Sequence, residues 1–198
     1  LEDFGYAMES IVLYATQLGL GSCWLGGTFT RSSFSDIIRP ADGEILPAVV
    51  SFGYPAENSR KHTIRKLAGS NNRKDWNELF FNSSPSKILT REEAGEFTTA
   101  LEMVRLAPSA SNKQPWRIVK ENGNFCFFLK RYNNPKKVSL IDRLLKLADL
   151  PRVDMGIALC HFELTTRQLG LGGKWETESN PGSAPDPSWE YTIGWKPA

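Results

Sequence analysis

The chain has 198 residues, of which 40% are hydrophobic and 23% charged, as expected of a globular protein that buries its own core. Its formal net charge of +2 is too small to indicate a nucleic-acid partner. No apolar run approaches the ~20 residues of a membrane-spanning helix, so we also expect no membrane partner.

The first predicted elements are a helix and, after a loop, a strand. The helix starts at Asp3, which we place at the N-cap, and ends near Gly19, because glycine is the usual terminator of a helix. Apolar residues on most of its sides predict burial. The strand lies within residues 47–55 and ends in Phe-Gly-Tyr-Pro. Residues 69–87 are rich in Asn and Ser, which predicts a linker.

A second group of elements follows this linker. Thr90-Arg-Glu-Glu93 has the pattern of a capping box, and the apolar residues after it recur at helical spacing. The helix is expected to end before the polar, proline-bounded loop Pro108-Ser-Ala-Ser-Asn-Lys-Gln-Pro-Trp116. Two strands are predicted at residues 117–120 and 125–129, with the turn-forming pair Asn122-Gly123 between them.

The last elements repeat the first ones. Residues 3–24 and 154–175 align at a constant separation of 151 positions, with ten of the 22 residues identical and the string Gln-Leu-Gly-Leu-Gly shared. The second copy again predicts an aspartate-capped helix, from Asp154 to about Gly170, and a later strand at residues 189–195. Agreement of this extent within one chain indicates an internal duplication.

The repeat suggests how the chain is organised. We predict a first half at residues 1–68, a linker at 69–87 and a second half at 88–198, which together form one compact domain. The first half has no counterpart of about residues 92–153, so we expect the sequence to begin inside the first repeat.

The cysteines and histidines do not form a metal-binding pattern. Cys23, Cys126 and Cys160 include no Cys-x-x-Cys pair, and His62 and His161 stand far apart in the sequence. We therefore predict no metal site and three buried free thiols, and we expect a cytoplasmic protein because that compartment is reducing.

Three segments resemble motifs of the flavin-dependent nitroreductases. Residues 107–117 closely resemble the A-P-S-x-x-N-x-Q-P-W motif of that superfamily, and residues 18–27 resemble the motif in which a long helix ends and a turn reaches the flavin ring. Residues 47–55 match the final strand. The repeat favours a subgroup with a duplicated, shortened unit in one chain. The resemblance implies an α+β fold with three α-β-α layers, an antiparallel-rich sheet and two fused half-units related by a pseudo-twofold axis.

The resemblance also implies a flavin mononucleotide (FMN) site between the two halves. Gly27 would donate its backbone N–H to flavin N5. Members of the family bind the FMN phosphate with an arginine-rich segment at their N-terminus, and this sequence has no such segment, so Arg65 is the best candidate for binding the phosphate. The cofactor-binding residues implied in this way are Trp24, Leu25, Gly26, Gly27, Arg65, Pro108, Ser109, Ala110, Ser111, Asn112 and Gln114.

Two alternatives stay open for these residues. Trp24 has a repeat equivalent, Trp175, which favours a packing role for both residues. The copy that contains Trp175 lacks the Trp-x-Gly-Gly pattern, so we predict only one working site. The loop at residues 108–114 could instead be a rigid helix-to-strand corner held by side-chain hydrogen bonds.

The function implied by the resemblance is an FMN-dependent oxidoreductase. NADH or NADPH would reduce the flavin, and a small electron acceptor such as a nitroaromatic or a quinone would then oxidise it. The chain would act as a monomeric pseudo-dimer or as a homodimer. The alternative is a non-catalytic module of the same fold that binds flavin, senses a ligand or mediates an interaction.

Overall fold

The computed structural model describes residues 1–26, 29–55, 69, 71–131, 148–177 and 185–198. The helices in these ranges are α1 (Glu2–Gln17), α2 (Arg31–Ile38), α3 (Trp76–Leu79), α4 (Arg91–Ala94), α5 (Thr98–Leu106) and α6 (Leu150–Gln168). The strands are β1 (Gly21–Leu25), β2 (Val49–Gly53), β3 (Phe80–Asn82), β4 (Ser84–Ile88), β5 (Trp116–Glu121), β6 (Asn124–Lys130), β7 (Gly173–Glu176) and β8 (Trp189–Pro197). Short 3-10 helices occur at Gly95–Phe97 and Ala110–Asn112.

The strands form two sheets. Six of them form one sheet in the order β4-β3-β5-β6-β8-β7, in which β3 and β5 are parallel and all other neighbours are antiparallel. The strands β1 and β2 form a separate antiparallel pair. The predicted α+β class with an antiparallel-rich sheet is therefore confirmed, whereas the three layers and the pseudo-twofold axis stay predictions.

The hairpin of β5 and β6 forms the centre of the larger sheet. Asn122 and Gly123 have φ values of 49° and 83°, which is the backbone that a two-residue type I′ turn requires. Because side chains alternate between the faces of a strand, Phe125 and Phe127 join the main core, whereas Phe128 joins a smaller cluster on the opposite face. The predicted strands and turn are confirmed, with slightly longer strands.

The main core lies between this sheet and the helices α5 and α6. Phe162 of α6 is fully buried there, and its ring centroid lies 6.1 Å from that of Phe97, 5.6 Å from that of Phe125 and 5.2 Å from that of Phe127. Aromatic rings at these distances combine large buried areas with favourable ring–ring geometry. Phe162 is therefore a central residue of the core.

Truncation of Phe162 should reveal this role. We expect Phe162→Ala to lower the free energy of unfolding by about 3 kcal/mol, because the change leaves a cavity in a packed aromatic cluster. Ile11, the repeat equivalent on α1, is 51% exposed, so Ile11→Ala is a matched control that should cost less than about 1 kcal/mol. Urea unfolding of both variants measures the difference, and equal losses would contradict this description of the core.

The two long helices end in the same way. Gly19 and Gly170 have φ values of 79° and 72°, a left-handed backbone that glycine adopts without strain. The N–H of Leu20 donates to the Ala15 carbonyl at 3.0 Å, and the N–H of Leu171 donates to that of Thr166 at 2.9 Å. These bonds satisfy carbonyls at the helix ends. The predicted helix ends are confirmed.

The predicted helix starts were wrong. Asp3 and Asp154 do not cap their helices but lie inside them, since α1 begins at Glu2 and α6 begins at Leu150. Pro151 fits the first turn of α6, where its missing N–H costs no hydrogen bond, and the helix therefore extends further back than the aspartate suggests.

The segment predicted as a linker contains regular structure. Within residues 69–87 lie α3, β3 and most of β4, and β3 pairs with β5 in the larger sheet. Leu79 and Phe80 are fully buried and explain why this part of the chain joins the core. The division of the chain into halves stays a prediction.

The predicted capping box is confirmed at the start of α4. The Thr90 hydroxyl accepts the Glu93 N–H at 3.1 Å, and the Glu93 carboxylate accepts the Thr90 N–H at 3.0 Å. The helix expected to continue from here is interrupted at Gly95, where φ is 61°, and resumes as α5. It ends at Leu106, before the prolines, as predicted.

The helices α1 and α6 cross at two glycines. A Cβ on Gly5 would lie 2.1 Å from the carbonyl oxygen of Val153, and a Cβ on Gly156 would lie 1.9 Å from that of Glu2. Gly5 and Gly156 are related by the repeat, and so are Glu2 and Val153. Each helix therefore contacts its counterpart through the same two positions, and only glycine allows the backbones to approach so closely.

The thiols differ in exposure. Cys126 and Cys160 are buried, which raises their pKa values to about 11 and about 12 and leaves them as unreactive thiols. The prediction of burial was wrong for Cys23, which lies on β1 in the two-stranded sheet and is exposed. No helix among the described residues is long and apolar enough to cross a membrane.

Candidate functional site

The last described residues of the motif at 18–27 lie against α6. Leu25 is the last residue of β1, and Gly26 follows it with its backbone close to Leu150, the first residue of α6. A Cβ on Gly26 would lie 2.8 Å from Cδ1 of Leu150. Leu25, Gly26 and Leu150 are all partly exposed, so this contact leaves an apolar surface at the helix start.

The motif at residues 107–117 contacts α6 one helical turn further along. The loop of residues 108–114 directs the backbone N–H of Ala110 at Asp154, whose Oδ1 accepts this hydrogen bond at 2.9 Å. Leu150 and Asp154 are about one helical turn apart, because an α-helix has 3.6 residues per turn. The first two turns of α6 therefore contact both motifs, which are far apart in the sequence.

The 108–114 loop has an uncommon backbone. Ser111, Asn112 and Gln114 have φ values of 49°, 52° and 49°, in the left-handed region that non-glycine residues rarely occupy. Such residues persist when the surrounding structure holds them, and they concentrate at functional sites. The contacts that hold this loop in place are therefore structural elements of the site.

The side chain of Asn112 is held on both sides of its amide. Its NH₂ group donates to the carbonyl oxygens of Gly69 and Asn72 at 2.6 and 2.7 Å. Its oxygen accepts hydrogen bonds from Arg73 at 2.7 Å and from the Gln114 side chain at 3.1 Å. Asn112 thus connects the loop to the segment that precedes α3.

Gln114 makes a similar connection. It is 2% exposed, and its side-chain oxygen accepts the backbone N–H of Lys74 at 2.7 Å. Its NH₂ group donates to the carbonyl oxygens of Asn112 and Asn72 at 3.0 and 3.3 Å, and its backbone N–H donates to the Ser109 hydroxyl at 2.9 Å. The two amides of the motif therefore act as braces of the loop, and their assignment to a flavin stays a prediction.

The middle of the loop is more open. Pro108, Ser109 and Ala110 are partly buried, and Ser111 is exposed. Within the described part of the chain, the Ser111 hydroxyl makes no hydrogen bond. The exposed Ser111 hydroxyl can therefore reach a ligand, and the Ser109 hydroxyl, which accepts the Gln114 N–H, still has its own hydrogen to donate.

Trp24 is part of a buried hydrogen-bonded group. Its indole N–H donates to Glu9 at 2.9 Å, and the other oxygen of that carboxylate lies 2.9 Å from Nε2 of His161. Glu9 is 1% exposed, and the Trp24 ring packs edge-to-face against Phe4 at 6.4 Å. These contacts favour packing over flavin stacking for Trp24. The role of Glu9 was missed, because a single glutamate in an apolar helix gives no signal of its partners.

Asp154 is a buried acidic residue that contacts the loop. It is 3% exposed, and burial raises its pKa to about 7. The Ala110 hydrogen bond opposes this rise, whereas the charge of Asp149 adds to it. Asp149 itself is paired with Arg131, whose two terminal nitrogens contact its oxygens at 2.9 and 2.8 Å. The sequence singled out Asp154 only as a helix cap.

Two predicted site residues lie outside the described residues. These are Gly27, expected to contact flavin N5, and Arg65, expected to contact the phosphate. Three described arginines near the loop have partners within the protein: Arg73 donates to Asn112, Arg105 donates to Glu102 at 2.6 Å, and the buried Arg117 donates to the Gln114 carbonyl at 3.1 Å. Among the described residues, no group of three or more His, Cys, Asp or Glu side chains could hold a metal ion.

The described part of the site is chemically suited to an isoalloxazine ring. Such a ring has apolar faces and a polar edge, and it needs an apolar wall together with uncharged hydrogen-bonding groups. Leu25, Gly26 and Leu150 supply the wall, and the hydroxyls of Ser109 and Ser111 supply the polar groups. The residue types of these two segments are therefore those that the ring of a flavin requires, although Leu150 lies directly in front of Gly26.

Two of three comparisons with known proteins found a nitroreductase-like match. The model of a family described as "Putative TM nitroreductase" matches residues 1–166. A crystal structure described as a "putative nitroreductase" from Thermotoga maritima MSB8 matches with a TM-score of 0.57 and 25% sequence identity. The match covers 96% of this chain and 62% of that protein, so the chain spans only part of that protein's length. A search of curated proteins found no match.

Proposed function

The chain belongs to the family described as "Putative TM nitroreductase", and from this membership we propose that it is an FMN-dependent oxidoreductase. It takes hydride from NADH or NADPH and delivers it to a small acceptor such as a nitroaromatic or a quinone. The observation that supports this most directly is that α6 contacts both motifs, through Leu150 at Gly26 and through Asp154 at Ala110.

The residues have distinct tasks in this proposal. FMN, when bound, supplies the hydride chemistry. Leu25 and Gly26 form the wall beside the ring, and Ser109 and Ser111 donate hydrogen bonds to its polar edge. The braces at Asn112 and Gln114 keep the loop in place before a ligand arrives, which lowers the entropic cost of binding. Gly27 remains the proposed donor to N5, and Arg65 the proposed phosphate ligand.

The finer architecture belongs to the same proposal. The reciprocal contacts of Gly5 and Gly156 support two half-units related by a pseudo-twofold axis. One chain would then form one working site, as a monomeric pseudo-dimer or within a homodimer. Cys126 and Cys160 are buried and form no disulfide within the described part of the chain, which supports a reducing, cytoplasmic environment.

A second candidate is a non-catalytic module of the same fold. The amides of Asn112 and Gln114 are both used within the protein, and the space in front of Gly26 is partly filled by Leu150. These observations favour a fold that binds flavin or another ligand without turnover. The two candidates differ in whether a bound flavin accepts electrons from a nicotinamide.

Absorption spectroscopy separates the two candidates. We expect the purified protein, alone or after addition of FMN, to show flavin bands near ~450 nm that bleach when NADH or NADPH is added without oxygen, because hydride transfer needs close and aligned reactants. Binding without bleaching would support the module. If no FMN binds, the site proposed here is wrong for this chain.

A matched pair of serine variants locates the binding site. We expect Ser111→Ala to weaken FMN binding about fivefold, because it removes one hydrogen bond of about 1 kcal/mol. Ser33→Ala changes an exposed serine on α2 and should leave the dissociation constant unchanged. Quenching of flavin fluorescence measures both constants, and equal constants for the two variants would remove Ser111 from the site.

A further inference from the structure

Asp154 is a buried carboxyl group without a cation. Within the described part of the chain it forms no ion pair, although it lies two residues from Arg152. Arg152 contacts Glu2 at 3.2 Å and Asp149 at 4.0 Å instead. Burial of an unpaired carboxyl group is costly, so such a group usually has a specific task.

The hydrogen-bond partner of Asp154 indicates what that task is. Its Oδ1 accepts the N–H of Ala110, the residue directly before the left-handed pair Ser111 and Asn112. The far end of the loop is fixed by the side chains of Asn112 and Gln114. Asp154 therefore holds the near end of a strained turn whose far end is braced separately.

The repeat supplies an internal comparison. Asp3 occupies the same position on α1 that Asp154 occupies on α6, but Asp3 is exposed and has no hydrogen bond or ion pair within the described residues. Both helices contain the same Asp-x-Gly sequence, and both form. The helix itself therefore does not need a partnered aspartate there, and the contact with the loop is what distinguishes Asp154.

We propose that Asp154 is a positioning residue, which anchors Ala110 through its acceptor oxygen and so holds Ser109 and Ser111 in place. The second part of this statement rests on the proposed function, because it takes those serines as ligands of FMN. Asp154 does not contact the ring in this proposal. It acts on the ligand only through the backbone of the 108–114 loop.

Three variants test the role of the acceptor oxygen. Asp154→Asn keeps an oxygen that can accept the Ala110 N–H, and Asp154→Leu removes it at similar size. Asp3→Leu is the matched control at the equivalent exposed position. Hydrogen exchange measures the opening of the Ala110 amide and of the rest of the loop, and flavin fluorescence measures FMN binding.

We expect the oxygen, rather than the charge, to decide both measurements. Asp154→Leu should raise the exchange rate of the Ala110 amide about tenfold and weaken FMN binding about tenfold, as the loss of one buried hydrogen bond predicts. Near pH 4, where the carboxyl group of Asp154 is protonated and the substitution removes no charge, Asp154→Asn and Asp3→Leu should stay within about threefold of the unmodified protein in both measurements. Exchange of the core amide of Phe127 reports any global loss of stability in the same samples.

Several outcomes would overturn this inference. In one such outcome, the amides of the loop exchange no faster in Asp154→Leu than in Asp3→Leu when both rates are taken relative to that of Phe127. Another is an Asp154→Asn variant that behaves like Asp154→Leu, since the acceptor oxygen would then not be the anchor. If the unmodified protein binds no FMN, the proposed function fails, and the exchange rates still decide whether Asp154 positions the loop.

Discussion

Replacing Gly156 by alanine is expected to lower the free energy of unfolding by more than about 4 kcal/mol, or to prevent folding. The added Cβ would lie 1.9 Å from the carbonyl oxygen of Glu2 and 2.8 Å from the backbone nitrogen of Tyr6. Both neighbours are backbone atoms of α1, which no side-chain rotation can move away. The two helices would have to separate, and the core packed against them would loosen.

The intrinsic effect of this substitution has the opposite sign. Alanine favours a helix by about 1 kcal/mol relative to glycine, so a large loss must come from the contact between the helices. Gly53→Ala is a matched control, because no atom lies within 4 Å of the added Cβ there. Urea unfolding of both variants measures the difference. A Gly156→Ala variant within about 0.5 kcal/mol of the unmodified protein would contradict the close crossing.

The reciprocal variant strengthens this test. Gly5→Ala places a Cβ 2.1 Å from the carbonyl oxygen of Val153, so its loss should be of similar size. Either methyl group alone already forces α1 and α6 apart, so the double variant should lose less than the sum of the single losses. Additive losses would show that the two glycines act at independent contacts.

The sequence predicted those parts of the fold that local chemistry determines. Gly19 and Gly170 ended their helices because a left-handed residue is required there, and Asn122-Gly123 formed its turn for the same reason. The capping box at Thr90 also formed as predicted. In each case the residues that give the signal also make the structure, so no distant contact was needed.

Distant contacts explain what the sequence did not reveal. The Asn- and Ser-rich composition of residues 69–87 predicted a linker, but burial of Leu79 and Phe80 brings β3 into the sheet beside β5. Asp154 had the residue type of a cap, yet its partner is Ala110 in a loop that precedes it by many residues. Composition and spacing do not identify such partners.

The candidate site shows the same limit. The motif predicted a polar loop at residues 108–114, and the structure has one there, because its residue types favour such a loop. It did not predict that this loop contacts the first turns of α6. It did not reveal that Asn112 and Gln114 direct their amides at Gly69, Asn72 and Lys74. A side chain that can bind a ligand can equally bind a neighbouring backbone, and only the fold decides between them.

The stability of the protein is expected to depend on pH through Asp154. Its pKa is raised to about 7 in the folded protein by burial, whereas an aspartate in an unfolded chain has a pKa near ~3.9. Between these two values the folded state holds a proton that the unfolded state has released. Rising pH therefore favours the unfolded state across this range, and the loss is complete above about pH 7.

The size of this loss follows from the shift of about three units. At 1.36 kcal/mol per unit it amounts to about 4 kcal/mol at most. Asp154→Asn carries no charge and keeps the acceptor oxygen, so the loss should disappear in this variant. Oδ1 of Asp154 is hydrogen-bonded to Ala110, and Oδ2 is not one of the fully buried atoms without a partner among the described residues. Oδ2 therefore touches solvent, and the NH₂ group that replaces it in the variant is expected to do so as well.

We therefore expect Asp154→Asn to match the unmodified protein near pH 4 and to exceed its free energy of unfolding by up to about 4 kcal/mol near pH 8. Urea unfolding of both proteins at several pH values measures this difference directly, because the titration of all other groups cancels. Asp3→Asn, at the exposed repeat equivalent, controls for the loss of one negative charge. If the difference in the free energy of unfolding does not grow with pH, Asp154 is not the buried titrating group. If it does grow, the fold tolerates a destabilising carboxyl group beside the loop.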